Sequence, residues 1–297
     1  MVLEQRQNDF IRYLRFEKRY AQHTLTAYHK DLSQFREYLD QQFPVADVHE
    51  ISHFHIRSWL ATLTDQGLAA RSVNRKISSL NSFFQFLLRQ QVLTKNPVRK
   101  LHALRLPERL PTYIKEKEAE LLFEELQFGE GLKGATDRLI CELLYQTGMR
   151  RNELIQLKET DIEWGLHQIR ILGKGNKERL VPVSTEMQGR LKEYIKLKKD
   201  TVSHDHHHLL VLENGKPLYP DYVYSTVKNY LSLVTTLKKK SPHVLRHSFA
   251  THLLNKGANI QAIKDLLGHS SLAATQIYAH NNIDKLKEIH KLNHPRG

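Results

Sequence analysis

HQIRILGKGNKERLVPV, residues 167–183, is the stretch on which the fold class turns. Over 167–172 and 178–183 apolar residues alternate with polar ones or run together, and the glycine-rich connection GKGNK lies between. Two such runs around a short Gly-containing connection predict a β-hairpin. Nearly everything else in the chain repeats its apolar residues at helical spacing. The expected fold class is mainly α with a small antiparallel β-sheet: an all-helical N-terminal domain followed by a mixed α+β domain that holds the hairpin.

Upstream, helical spacing begins at once. Residues 3–19 carry Leu3, Phe10, Ile11 and Leu14 on one face. Thr24 is expected to cap a helix running to about residue 41, with Leu25, Tyr28, Leu32, Phe35, Tyr38 and Leu39 as its apolar side. Ser52 is expected to cap a third helix through Trp59 and Leu63, which Gly67 ends. A fourth runs over about 70–90 with Val73, Ile77, Leu80, Phe84 and Leu87 as its stripe. These stripes are core faces. Arg71, Arg75 and Lys76 read as lying off the last stripe, as either a solvated charged face or a contact surface.

Residues 95–112, KNPVRKLHALRLPERLPT, hold three prolines and five basic residues. Proline lacks an amide donor and disfavours helix just before it, so this stretch reads as a linker. The expected division is 1–96, a linker over 97–112, and 113–297. Helical patterns beyond the linker cover 116–126, 136–146, 152–157, 187–199, 222–233, 245–254, 260–266, 272–278 and 284–292. Gly148 breaks the pattern between the second and third of these.

Charge narrows the class of partner. Lys and Arg number 45 against 32 Asp and Glu, a net +13. Residues 1–110 hold 17 basic and 10 acidic residues and the remainder 28 and 22, so both parts are positive. An extended polyanion touching both parts suits this balance, with binding that weakens steeply as salt rises. A basic linker between two basic domains suits a clamp. No apolar run approaches the roughly 20 residues that span a bilayer. The N-terminus lacks the ordered features of a secretory signal. The single cysteine, Cys141, lies among Leu139, Ile140, Leu143 and Leu144, as a core thiol does. These features predict a cytoplasmic protein.

Four segments concentrate the chemistry: TGMRRNEL at 147–154, GKGNKERLVP at 173–182, HVLRH at 243–247 and LGHSSLAATQIYAH at 267–280. Phosphoryl transfer to a side chain needs fixed cations around the phosphate oxygens, and arginine's planar fork meets two oxygens at once. Arg150, just after the Gly148 break, and Arg246 are the candidates, with Arg151 a surface neighbour. His243, three residues before Arg246, shares its helix face and suits proton transfer. His243 and His247 have zinc spacing, but Val244 stands where a HExxH motif has Glu and no third ligand is evident. His247 reads instead as a structural hydrogen-bonding residue, and HDHHH at 204–208 as a solvated loop. Gly173 and Gly175 let Lys174 approach a backbone closely enough to protonate a departing oxygen; a solvated turn lysine is the plain alternative. GKG lacks the GxxxxGK[ST] frame of a nucleotide-binding loop. Tyr278, near the end of a short helix after His269 with Ser270 or Ser271 as its cap, has a phenol of ordinary pKa ~10 and needs such surroundings to act as a nucleophile.

Taken together and in this order, the segments resemble the tyrosine recombinase (phage integrase) family, most closely its Xer branch, over nearly the whole chain. The resemblance implies a catalytic set of Arg150, Lys174, His243, Arg246, His269 and Tyr278. Tyr278 is then the nucleophile, leaving a 3′-phosphotyrosyl link and a free 5′-hydroxyl, with no ATP, metal or other cofactor. It implies double-stranded DNA bearing a specific site as substrate; the basic cluster of Arg71, Arg75 and Lys76 on the fourth helix is the expected DNA contact, at the major groove or the phosphates. It implies a tetramer around two duplexes, made with itself or a paralogous recombinase, and a cell-division DNA translocase as activator. Ile283, Leu286, Ile289 and Leu292 form a stripe that docks on a neighbouring protomer in relatives; packing on its own domain is the alternative. The expected role is resolution of chromosome dimers at cell division. The alternatives are a mobile-element integrase or invertase of the same chemistry, and a non-catalytic DNA-binding protein on this scaffold. The short N-terminus, without an added arm-binding domain, favours the Xer-like reading over the mobile-element one.

Overall fold

Helix α4 (Ala70–Arg89) shows how the first part of the chain folds. Val73, Ile77, Leu80, Phe84 and Leu87 are all buried, and Phe83 and Phe86 widen the stripe. That face packs on α1 (Val2–Phe16), α2 (Gln22–Gln42) and α3 (His53–Asp65). Phe10, Leu32, Phe35, Ile56 and Trp59 complete a core with it. Burying each such side chain contributes about 1.5–3 kcal/mol, which no isolated helix of this length could supply from propensity. In this computed structural model the described residues are 2–43, 47–106, 112–173, 177–202 and 207–268. Their contacts group into two units, Met1–Glu108 and Arg109–Gly297.

Several boundaries differ from the sequence expectation. Helix α1 stops at Phe16, short of residue 19. Helix α2 starts at Gln22 with Ala21 as its cap, so Thr24 sits inside the first turn and caps nothing. Ser52 does precede α3, and its N–H donates to His55 Nδ1 at 3.2 Å. The start of the proline-containing stretch is tied to the helical unit. Val98 is buried in its core, and Asn74 exchanges two hydrogen bonds with the backbone of Leu104, at 2.8 and 2.7 Å.

The second unit is built around α6 (Gly131–Thr147), which begins five residues earlier than its apolar pattern suggests. Short α5 (Glu116–Glu120) precedes it and continues as a π turn over Leu121–Glu125. α7 (Arg151–Gln156) follows the Gly148 break. The hairpin forms as β2 (Gln168–Leu172) and β3 (Glu178–Pro182), antiparallel, with Ile169 opposite Val181 and Ile171 opposite Arg179. A two-residue strand, β1 (Ile162–Glu163), extends it to the sheet order β1-β2-β3. α8 (Thr185–Thr201), α9 (Pro220–Val234), α10 (Pro242–Asn255) and α11 (Ile260–Leu267) complete the described part. Ile140, Leu144, Leu154, Ile169, Leu191 and Val227 are core members, and Cys141 is fully buried among them. Burial drives its thiol pKa up, as expected of an inert core cysteine. No helix of the described residues is long and apolar enough to cross a membrane.

Candidate active site

The site begins with a glycine. Gly148 ends α6 in the left-handed region, at φ 59°, which non-glycine residues rarely adopt. A Cβ there would lie 2.5 Å from Phe249 Cδ1 and 2.8 Å from Leu267 Cδ2. The sharp reversal makes Arg150 the N-cap residue of α7 and aims its side chain at Glu153 and the end of α11. Arg150 Nη1 donates to Glu153 Oε1 at 2.7 Å and Nη2 to the Gly268 carbonyl at 3.1 Å. Its backbone N–H donates to Glu153 Oε2 at 2.7 Å.

Arg246 reaches the same corner from α10. It is 4% exposed; Nη1 donates to the Gly148 carbonyl and Nη2 to the Leu267 carbonyl at 2.7 Å. Helix α10 starts at Pro242, three residues ahead of the expected start, which puts His243 and Arg246 on one helix as their spacing requires. Proline at the first helical position was the signal for that earlier start. His243 is exposed. Partial desolvation, then the charges of Arg246, Lys239, Arg151 and Arg150, hold its imidazole below the ordinary range. His247 packs 6.5 Å from it, ring to ring, and burial pushes its pKa down to about 4.

The opposite face of α10 is anchored. Ser248 Oγ accepts the Ile114 N–H at 2.9 Å, and His252 Nε2 meets the Ile114 carbonyl at 2.9 Å. Since that carbonyl only accepts, Nε2 carries the proton, and Nδ1 accepts from the Tyr145 hydroxyl at 2.8 Å. Burial raises the Tyr145 pKa to about 12, so it stays a donor. The histidine–arginine helix is thereby fixed to the first turn of backbone after the linker stretch.

Glu153 was not singled out from the sequence, where it is an ordinary helix glutamate. Here it is buried and shared between two guanidiniums. Arg179 donates to Oε1 at 3.1 Å and to Oε2 at 2.6 Å. Burial alone would raise the Glu153 pKa, but the bonds from Arg179 and Arg150 hold it below the usual carboxylate range. Lys239, within the run Lys238–Lys240 just before α10, was also missed; its charge bears on both His243 and His247. A cleft of about 580 Å³ opens beside Arg150, lined also by Asn152, Lys158, Arg170 and Gly173. Gly173 is the residue before Lys174. Lys174, His269 and Tyr278 lie outside the described residues, as do the helices expected over 272–278 and 284–292.

In the helical unit one expected contact must be corrected. Lys76 is 4% exposed. Its ammonium donates to Asp31 Oδ1 at 2.9 Å and to Gln34, and lies 5.4 Å from the Trp59 ring centre. Position 76 is three beyond Val73 and four before Leu80, so it belongs to the buried stripe, and a buried ammonium needs such partners. Lys76 therefore does not present its charge to DNA. Arg71 and Arg75 are exposed, with Arg75 steadied from behind by Asp31.

Two arginines converge at a helix junction, beside a His-x-x-Arg helix and a hairpin that flanks the cleft. Comparison with known proteins gives the family. Residues 112–285 match the phage integrase family, and residues 8–91 its N-terminal SAM-like domain. The chain belongs to the phage integrase family. Within it, the chain is 36% identical over 291 residues to the tyrosine recombinase XerC of Listeria innocua, covering 97% of each chain. It is equally 36% identical to the tyrosine recombinase XerC of Halalkalibacterium halodurans, covering 97% of this chain and 96% of the relative. Its fold is similar to the XerH site-specific recombinase in a post-cleavage complex with a palindromic difH substrate. The TM-score is 0.77 at 26% identity, covering 90% of this chain and 78% of that one. This is a site-specific tyrosine recombinase of the Xer type, an enzyme that exchanges DNA strands.

Proposed function

We propose that the chain resolves chromosome dimers in the cytoplasm, cutting and rejoining DNA through a 3′-phosphotyrosyl intermediate on Tyr278. The observation that carries the reading is the convergence of Arg150 and Arg246 on the last carbonyls of α11, one residue before His269 and shortly before Tyr278. Arg150 and Arg246 stabilise charge on the non-bridging oxygens of the scissile phosphate. His243 and His269 handle protons, and the Tyr278 phenolate attacks phosphorus. Lys174 protonates the departing 5′-oxygen. The link conserves the energy of the phosphodiester, so a partner strand's 5′-hydroxyl reverses the step without ATP, metal or cofactor.

Residues 1–96 act as a core-binding DNA domain, 97–112 as the linker and 113–297 as the catalytic domain. Arg71 and Arg75 contact DNA from the exposed face of α4. Four protomers, identical or paired with a paralogous recombinase, assemble on two duplexes, with a cell-division DNA translocase as activator. The kinship with XerC relatives and with a XerH complex named for its difH substrate supports this role over that of a mobile-element integrase.

The test uses a nicked suicide substrate bearing the recombination site. Wild type accumulates an adduct that survives denaturation, while Tyr278→Phe binds the same DNA with unchanged affinity and forms none. A wild type that binds but never forms an adduct contradicts the enzymatic role and leaves the DNA-binding scaffold.

A further inference from the structure

Arg179 occupies an unusual place for a charge. On β3 it pairs with Ile171, itself 1% exposed, and shares its face with Val181, also 1% exposed. Side chains two apart on a strand point the same way, so the hairpin aims Arg179 into the protein. Its side chain is 9% exposed. A guanidinium in that position is costly unless every face finds a partner. It finds three. Nη1 and Nη2 grip the two oxygens of Glu153, and Nε donates to the Leu266 carbonyl at 2.7 Å.

Glu153 is the same carboxylate that holds Arg150, through both its guanidinium and its backbone N–H. With Arg179 present, the Arg150–Glu153–Arg179 cluster carries a net charge of one plus. That charge lies toward Arg150, whose side chain is 35% exposed. Without Arg179, Glu153 and Arg150 would form a neutral pair, and the cation facing the phosphate would be spent on its own helix. The cluster also ties three parts together. Arg179 lies on the strand that leaves the Lys174 hairpin. Successive carbonyls at the end of α11, of Leu266, Leu267 and Gly268, are held by Arg179, Arg246 and Arg150 in turn. A Cβ at Gly268, where φ is 63°, would lie 3.2 Å from Arg179 Nη1, so the fit leaves no slack.

We propose that Arg179 is a positioning residue for strand cleavage: by holding Glu153 it sets both the orientation and the free positive charge of Arg150. The proposal rests on the role assigned above to Arg150. Arg179 itself touches no reacting atom.

The experiment compares full-length wild type, Arg179→Gln, Arg179→Lys, Glu153→Gln, the double variant Glu153→Gln/Arg179→Gln, and Arg150→Gln on the suicide substrate. DNA affinity, thermal stability and single-turnover cleavage at saturating DNA are measured for each. Arg179→Gln should lose cleavage on the order of 100-fold, the scale of a small misplacement caused from outside the chemistry, with affinity within about 3-fold. The double variant should cleave at least about 5-fold faster than Arg179→Gln, because removing both charges returns Arg150 its own; such non-additivity marks directly coupled groups. A merely structural arginine predicts the opposite, a double variant no better than the single. Arg179→Lys, which keeps the buried charge but loses the two-bond grip on Glu153, should fold even if Arg179→Gln does not, and cleave at a rate between wild type and Arg150→Gln. Wild-type cleavage by folded Arg179→Gln or Arg179→Lys, or no recovery in the double variant, overturns the proposal. If Arg150→Gln itself cleaves normally, the role of Arg150 fails instead, and the two failures are told apart.

Discussion

At the scale of the residue, burial decides what each charge does. His247 folds as a neutral imidazole with its pKa pushed down to about 4. The unfolded chain binds that proton near the ordinary His value of about 6.5, so the unfolded state holds more protons between these two values. Stability from this site is therefore present above pH about 6.5 and is lost as pH falls toward 4. Thermal unfolding across that window should show the decline, and His247→Gln should flatten it. An unchanged slope in the variant contradicts the assignment. Lys76 makes a second case. Lys76→Met removes its hydrogen bond to Asp31 and should cost roughly 1–3 kcal/mol of stability while leaving the salt dependence of DNA binding untouched. Of the six motif residues, with Lys174, His269 and Tyr278 outside the described residues, Arg150, His243 and Arg246 were legible as candidates because arginine and histidine at those spacings have few other reasons to occur together. Glu153 and Arg179 were not. Each is an ordinary charge in its own element, and only the register of β3 against α7 makes them a pair.

At the scale of the element, two helix ends do the positioning. Gly148→Ala drives a Cβ into Phe249 and Leu267 at a left-handed φ. The expected cost is about 1–3 kcal/mol of stability, with a further loss of cleavage because the Gly148 carbonyl anchors Arg246. Denaturant unfolding and single-turnover cleavage check both parts. A variant as stable and as fast as wild type would show that the turn is not a constraint. Among the described residues the helices and the hairpin could be read from periodicity, since a face buried over several turns leaves a regular record. Their ends could not always be. Polar residues dominate the first turn of α6, and its apolar stripe starts late. Strand β1 is two residues long, too short to show alternation. At α2 a threonine in the first turn imitates a cap that the backbone places at Ala21.

At the scale of the whole molecule, charge is expected to set affinity and the corner around Arg150 and Arg246 to set chemistry. Arg71→Gln or Arg75→Gln should each weaken DNA binding and lower the slope of log affinity against log salt by about 1, the release expected of one phosphate contact. Cleavage of DNA already bound should persist. Titration by fluorescence anisotropy at several salt concentrations reads the slope, and an unchanged slope removes that arginine from the interface. The proline-containing stretch and the basic balance of both parts made the two-part organisation legible in the sequence. That the linker's first residues pack into the helical unit was not, because Val98 and Leu104 find their partners in tertiary contacts with distant helices. The central claim is that this constellation serves Tyr278. Mass mapping of the DNA–protein adduct trapped on a suicide substrate tests it most directly. The account predicts a DNA 3′-phosphate on the peptide containing Tyr278 and on that residue alone. A link at any other side chain, or through the 5′ end of the break, would contradict it.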